Sequence, residues 1–513
     1  MKHLALSIAS ALLLVLSQSP IDFGFLAVVA LVPWLVATRH AGATEAVVLG
    51  IVTGVAYGIT SANWLSSAFE SQGAIGYRSI LATLMTAFWA KGLLFGATGW
   101  AAQRLRDRGP LLQAVVLATL FGLGEFWISE SRWGLPFLLL GHSQISVPGV
   151  AQLAVVAGVP GISALLIATN CALASLFENR RRAAPIAAAF FAAWAATALC
   201  GIPLATALRP PEDSESKTLL LVQPTISRDR RWEPAFQNVI LDEIAGYTSE
   251  ALEKAQELPD AILWPENLLT TPLDENEKLK RQFEAYVDAW GVPVVTGLVR
   301  VSETKNAGDY RNSVVWWSPQ NGLRDAIDKV RAMPLVESNR DFFGRSALAR
   351  MVGEAANGPR VAESPETRPL EGDFTLSPAL CFEVLFPRIV AERRNNQSVA
   401  IVNLADDSWV PGEIADAQLV TAAAFRAIEQ RLTLVRVSHG GLSVAIDPFG
   451  REIASLPVDQ YAHMTVTVSA MAPVSAIERI SVLALPFVAG GATWMLGFWL
   501  LRNGRLLKRA RKS

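Results

Sequence analysis

The distribution of apolar residues constrains this 513-residue chain more than any other feature. From Leu4 to about Ala205 they dominate, and from Lys217 to about Val468 charged and polar residues alternate with short apolar runs. Ile480 to Leu501 is apolar again and leads into a basic tail. With 51% hydrophobic and 18% charged residues overall, the chain is too apolar for a soluble two-domain protein, and its charges are concentrated where the apolar runs are short. The order predicted is membrane domain, soluble domain, membrane helix.

The first block divides into about seven apolar segments of near-spanning length, roughly 4–17, 23–38, 45–65, 79–102, 111–128, 148–177 and 185–205. The first is as short as a signal-peptide core. Lys2 is its only basic residue, however, no small-residue cleavage site follows, and Pro20 leads straight into the next span, so it is read as an uncleaved helix. Basic residues cluster in alternate connections, at Arg39, at Arg104, Arg106 and Arg108, at Arg180 to Arg182, and from Arg502 to Lys512. The intervening connections hold little beyond Arg78 and Arg132. Eight spans with this asymmetry put both termini in the cytoplasm and the large polar block on the other side.

Three cysteines, two of them in apolar spans, give no disulfide framework, which leaves Cys381 alone in the soluble block. A net charge of -1 offers no basic surface for nucleic acid. The five histidines are scattered, and no phosphate-binding glycine loop or metal-spaced cluster is present, so neither metal nor cofactor is expected.

Within 217–468, strand-length runs recur at 219–222, 261–264, 293–299, 313–317, 374–384, 399–404, 432–437, 443–446 and 464–468. Helical stretches at 234–255, 275–290 and 414–430 separate several of them. Strands alternating with helices predict an α/β layered sandwich.

Three strand ends carry reactive groups: Glu266 in LPDAILWPEN, Lys329 in RDAIDKVRAMPLVE, and Cys381 in LSPALCFEVLFP. Each alone has an ordinary reading, as a helix cap, a solvated lysine and a small buried hydrophobe. Together they supply what acyl transfer through a thioester needs. Glu266 takes and returns the thiol proton, Cys381 attacks a carbonyl, and Lys329 stabilises the oxyanion while lowering the thiol pKa. A scaffold that uses the sandwich only for assembly has no reason to keep a carboxylate, an ammonium and a thiol together. The run Asp341 to Val352, with Phe342 and Phe343 among arginines, reads either as a lid at the bilayer interface or as an amphipathic helix packed on the sandwich.

The order WPE, DK, LCFE resembles the Glu-Lys-Cys triad of the nitrilase, or carbon-nitrogen hydrolase, superfamily, whose fold is an αββα sandwich. A nitrilase-like domain preceded by about seven spans and followed by one resembles the apolipoprotein N-acyltransferase family. LVQPTISRDRRW at 221–232, NWLSSAF at 63, EFW at 125 and GLPFLLLGHSQ at 134 are similar to that family's motifs. The resemblance implies a membrane domain at 1–210, a catalytic domain at 217–470, a transmembrane helix at 478–501 and a cytoplasmic tail at 502–513. It also implies a bacterial inner-membrane location with the catalytic domain in the periplasm. A phospholipid would give its acyl chain to Cys381, and the α-amine of a diacylglyceryl-cysteine lipoprotein would collect it. Glu337, Glu383, Phe382 and Trp232 would support the triad, with Phe342, Phe343 and Trp409 near the substrate. An embedded enzyme of this kind is expected to be a monomer.

Departures from the family pattern fall on the acceptor side. Pro334-Leu335-Val336-Glu337 lacks the usual glycine, Phe382 stands where tyrosine is common, Asp406 stands for an asparagine, and Ser438-His439-Gly440-Gly441 replaces a Thr/Ser-Asn-Asn-Gly run. They keep two relatives of the reading open, a nitrilase-like paralogue of the TraB conjugal-transfer type with another acceptor, and a hydrolase in which water reaches the thioester.

Overall fold

The computed structural model describes residues 1–71, 76–131, 134–207, 216–301, 310–331, 367–410 and 412–510, with the backbone alone at 485 and 497–510. The chain forms two compact units. One comprises Met1–Asn63, Leu84–Pro210 and Val474–Ser513, and the other Trp64–Thr83 and Pro211–Pro473.

The first unit is helical. Among the described residues six helices are long and apolar enough to cross a membrane: Ala43–Ser61, Tyr77–Arg104, Pro110–Glu130, Ala154–Ala174, Leu176–Ala207 and Ala476–Leu496. Two shorter apolar stretches, Lys2–Ser17 and Gly24–His40, precede them. The second of these is broken into a 3-10 turn, Gly24–Val28, and a helix, Val32–His40, with Pro33 in the helix's first turn, where its missing amide hydrogen costs no helical hydrogen bond. Glycines let helices approach closely: a Cβ on Gly50 would lie 2.3 Å from the Phe95 carbonyl oxygen. Glu125, buried in the helix Pro110–Glu130, accepts from the Leu140 amide at 2.8 Å and from the Ser163 hydroxyl, tying the loop before Ser146 to two helices.

The second unit is built on two six-stranded sheets. In chain order the strands are β1 (Ser216–Gln223), β2 (Ala261–Glu266), β3 (Val294–Val301), β4 (Tyr310–Ser318), β5 (Gly322–Asp328), β6 (Leu370–Glu371), β7 (Thr375–Leu380), β8 (Ser398–Asp406), β9 (Leu434–His439), β10 (Val444–Ile446), β11 (Glu452–Ser455) and β12 (Ala462–Ser469). The first sheet runs β12-β1-β2-β3-β4-β5, the second β11-β10-β9-β8-β7-β6. In each, three central strands are parallel and the flanking strands antiparallel.

Alternation along the central strands dictates the layers. Leu219, Leu221, Leu263, Val295, Val314 and Trp316 of the first sheet pack on Leu376, Leu380, Val402, Leu404, Val435 and Val437 of the second. The intervening Leu220, Val222, Ile262, Trp264, Val294 and Val315 meet the helices Gln237–Lys254 and Glu277–Trp290 on the outside. Both faces are therefore covered, which is why these strands read as unbroken apolar runs rather than as clean alternation. The helix Glu277–Trp290 shows how local sequence sets such an element. Asn276 caps its start by accepting from the Leu279 amide, Leu279, Phe283 and Val287 form its buried stripe, and Gly291 ends it in the left-handed conformation at φ 65°. The helices Pro387–Glu392 and Glu413–Gln430 accompany the second sheet, completing an α/β fold of αββα type.

Candidate active site

Glu266 is the last residue of β2, Lys329 follows β5, and Cys381 follows β7. Two antiparallel steps separate β3 from β5, so β2, β3 and β5 run the same way and deliver Glu266 and Lys329 to one end of the first sheet. Their side chains form an ion pair, Lys329 Nζ to Glu266 Oε1 at 3.1 Å, both about 1% exposed. Asn312 of β4 holds both partners. Its side-chain amide donates to Glu266 Oε1 at 2.6 Å, and its carbonyl accepts from the Lys329 amide at 2.7 Å. The other carboxylate oxygen, Oε2, accepts from the Asp406 backbone N–H at 3.2 Å. Charge and hydrogen bonds thus satisfy a carboxylate removed from water, as burial requires.

Cys381 begins a 3-10 turn, Cys381–Leu385, and sits at φ 48°, in the left-handed region that non-glycine residues rarely occupy. The conformation costs about 1–2 kcal/mol and persists because its surroundings over-determine it. Asn403 of β8 donates to the carbonyls of both Ala379 and Cys381, each at 2.9 Å. Cys381 is thus 7% exposed and sits on a constrained turn at a strand end.

One carboxylate joins the surroundings of Lys329 to those of Cys381. Glu383 Oε1 accepts from the amides of Val330 at 2.7 Å and Arg331 at 3.2 Å, and Oε2 accepts from the Leu380 amide at 3.0 Å. Arg393, fully buried, pairs with that carboxylate at 2.7 Å.

The remaining sites named from sequence fall as follows. Phe382 is buried edge-on against Phe386, with ring centroids 5.1 Å apart and an 86° interplanar angle, so the position that lacks a tyrosine hydroxyl faces packed interior. Trp232 closes the turn Arg228–Arg231, but the side chain bonded toward the site is its neighbour Arg231. That guanidinium grips Asp406 at 3.0 and 2.9 Å and also donates to the Asn267 carbonyl at 2.8 Å. Burial would raise the Asp406 carboxyl, but the Arg231 charge, the nearby His439 and the hydrogen bonds from Arg231 and Ser408 together outweigh it and hold the group below the usual carboxylate range. Trp409 is half-buried, and its carbonyl accepts from Ser71 Oγ at 2.9 Å. Ser438 donates to Asp407, which also pairs with Arg436, itself bonded to Asn403. His439, through Nε2, bonds the Ile226 carbonyl, and burial with the nearby Arg231 pushes its imidazole down to about 4. Gly440, at φ 74°, and Gly441 pass so close to Ser408 and Asp407 that a Cβ would clash with either. Glu337, Phe342 and Phe343, with the whole lid-like run 341–352, lie outside the described residues.

Asn312, Arg231, Asn403, Arg393 and Arg436 were not evident from sequence. Each lies in an unremarkable strand, turn or helix end, and its significance comes from the partner the fold brings to it. Only Arg231 had a usable signal, its place beside Trp232 in the 221–232 motif.

Comparison with known proteins agrees with this architecture. The apolipoprotein N-acyltransferase N-terminal domain model matches residues 10–172, and the carbon-nitrogen hydrolase model matches residues 225–472. An apolipoprotein N-acyltransferase of Allorhizobium ampelinum is 29% identical over 71% of this chain and 68% of its own length. One from Pseudomonas putida is 26% identical over 98% of this chain and 97% of its own length. A crystal structure of an amidase from Nesterenkonia sp. aligns with 52% of this chain and 93% of its own, at 15% identity and a TM-score of 0.34. A membrane-domain match and a hydrolase-domain match in tandem, with relatives spanning nearly the full length, place the chain in the apolipoprotein N-acyltransferase family.

Proposed function

We propose that the protein is an N-acyltransferase working through a thioester on Cys381, with a phospholipid as acyl donor and the N-terminal amine of a diacylglyceryl-cysteine lipoprotein as acceptor. The observation that carries this reading is the buried Lys329–Glu266 pair, tied through Glu383 to the turn bearing Cys381. A carboxylate, an ammonium and a thiol, each at a strand end, suit the roles of base, oxyanion stabiliser and nucleophile. Glu266 removes the thiol proton, the sulfur attacks the ester carbonyl, and Lys329 neutralises the tetrahedral oxyanion. Collapse breaks the ester C–O bond, and Glu266 returns the proton to the departing lysophospholipid alkoxide. The acceptor amine then attacks the thioester and gives its proton to Glu266. The amide forms as the C–S bond breaks and the thiolate is reprotonated. The names of the curated relatives support the acceptor, and the apolar helices support a membrane-resident donor. The alternating arginine clusters support a periplasmic catalytic unit, with both termini in the bacterial cytoplasm.

The test is incubation of the purified full-length protein with a labelled phospholipid. A hydroxylamine-sensitive acyl adduct that disappears in Cys381→Ala is expected, and no adduct on the wild type, or an equal one in the variant, would sink the mechanism. A diacylated lipopeptide should then discharge the adduct into amide. Drainage to free fatty acid alone would favour the hydrolase, and persistence of the adduct would favour a paralogue with another acceptor. A reporter active only in the periplasm, fused near Lys217, tests the orientation and must be active there.

A further inference from the structure

Glu266 and Lys329 belong to the first sheet and Cys381 to the second, so the chemistry depends on how firmly two separate sheets are fixed at their catalytic ends. Packed apolar side chains between sheets resist separation but fix relative sliding less tightly than directional hydrogen bonds do. Arg393, at the end of the helix Pro387–Glu392, sits where the two meet and is fully buried. One of its terminal nitrogens donates to the Pro378 carbonyl of β7 at 3.1 Å and to Glu383 Oε2 at 2.7 Å. The other donates to the Asp328 carbonyl of β5 at 2.9 Å and to Glu383 Oε1 at 3.4 Å. Glu383 in turn takes the amides of Val330 and Arg331, just past Lys329, and of Leu380, just before Cys381. The pair therefore binds both the carbonyl before Lys329 and the amides after it. It does the same for the backbone leading into Cys381.

We propose that Arg393, paired with Glu383, is a positioning residue that locks the Lys329 strand end to the Cys381 turn across the two sheets. This rests on the thioester reading for its effect on turnover, but the geometric claim about Cys381 stands separately. A guanidinium is suited to the place because two nitrogens set apart in one plane make four contacts, to two carbonyls and both oxygens of a carboxylate, whereas an ammonium offers three donors on a single nitrogen. A buried ion pair adds little net stability over an apolar pair, so registry is the better reason for its presence.

The experiment uses full-length protein in detergent with Cys200→Ser as background, since Cys200 is exposed and Cys171 buried. Arg393→Lys and Glu383→Gln are compared for folding by circular dichroism and melting. They are also compared for iodoacetamide alkylation of Cys381 between about pH 6 and 10, which reports the thiolate fraction, and for acyl-adduct formation from phospholipid. Folded variants are expected to acylate at least about ten-fold more slowly and to show a displaced alkylation pH profile, with the double variant no worse than either single one because the two act as a unit. Acylation within about two-fold of the background protein together with an unmoved alkylation profile would overturn the proposal. So would failure of both variants to fold, since the pair would then be an element of folding and not of positioning. If the wild type forms no acyl adduct, the functional reading fails, and the alkylation profile alone decides on Arg393.

Discussion

Replacing Asp406 with asparagine restores the residue usual in the family at that position, and the structure predicts that here the change is harmful. Asp406 Oδ1 accepts from Arg231, from the Ser408 amide at 3.2 Å and from the Ser408 hydroxyl at 2.6 Å, while Oδ2 takes the other Arg231 nitrogen at 3.0 Å. An asparagine oxygen would fill the crowded Oδ1 place, leaving its NH2 to face the Arg231 nitrogen, donor against donor. The guanidinium, with its side chain at 0% exposure, would keep the Asn267 carbonyl but lose its counter-charge. Breaking a buried pair from one side costs about 3–5 kcal/mol, and we take the low end because one neutral acceptor remains. For a unit of this size about 3 kcal/mol lowers the melting temperature by roughly 6–12 °C. Activity should fall as well, because the Asp406 amide is a ligand of Glu266. Adding Arg231→Gln to Asp406→Asn removes the stranded charge and should recover most of the loss. Because the folded carboxyl is held below its unfolded value, the pair stabilises fully above the unfolded pKa near ~4, and this stabilisation is lost as pH falls through the folded one. At neutral pH the whole penalty should therefore be visible. Thermal unfolding of the detergent-solubilised protein checks this: a loss in Asp406→Asn below about 1 kcal/mol, or a double variant as unstable as the sum of the singles, would refute the reasoning.

Three further outcomes are expected. Gly297→Ala places a Cβ 2.8 Å from the Glu266 Cα, backbone that cannot yield cheaply, so acyl-adduct formation should drop by about ten-fold or more in a folded protein. Glu266→Gln is nearly isosteric but loses the charge opposite Lys329 and turns an NH2 toward one of the donors that Glu266 now accepts from; on the proposed base role, adduct formation should fall by about a hundred-fold or more at neutral pH, measured by single-turnover labelling. Asp416, whose carboxyl burial and the neighbouring Asp407 push up to about 7, binds a proton in the folded state that the unfolded chain has lost. Stability should therefore decline as pH rises from the unfolded carboxylate range to about 7, and Asp416→Asn should flatten that slope in melting curves taken between those values.

Some of this protein was legible along the chain. Hydropathy is a local property, so the apolar blocks and the polar interval between them were visible directly, as were most strands and the reactive residues at three strand ends. Even so, the run read as one strand from 374 to 384 stops at Leu380, because Cys381 turns into the left-handed region and a 3-10 turn begins. The strand β5 before Lys329 went unread because its pattern, GLRDAID, is polar on one side and it lies at a sheet edge.

What the amino-acid order offered by itself was an apolar block, an α/β block and Glu266, Lys329 and Cys381 as candidates for one site. Only the tertiary structure decided what holds them. Asn312, Arg231, Asn403 and Arg393 act through partners 10 to 175 residues away, and no local pattern encodes a hydrogen bond across that separation. It also changed the meaning of Asp406, which by sequence departs from a family pattern and in three dimensions is the counter-charge that a buried Arg231 requires.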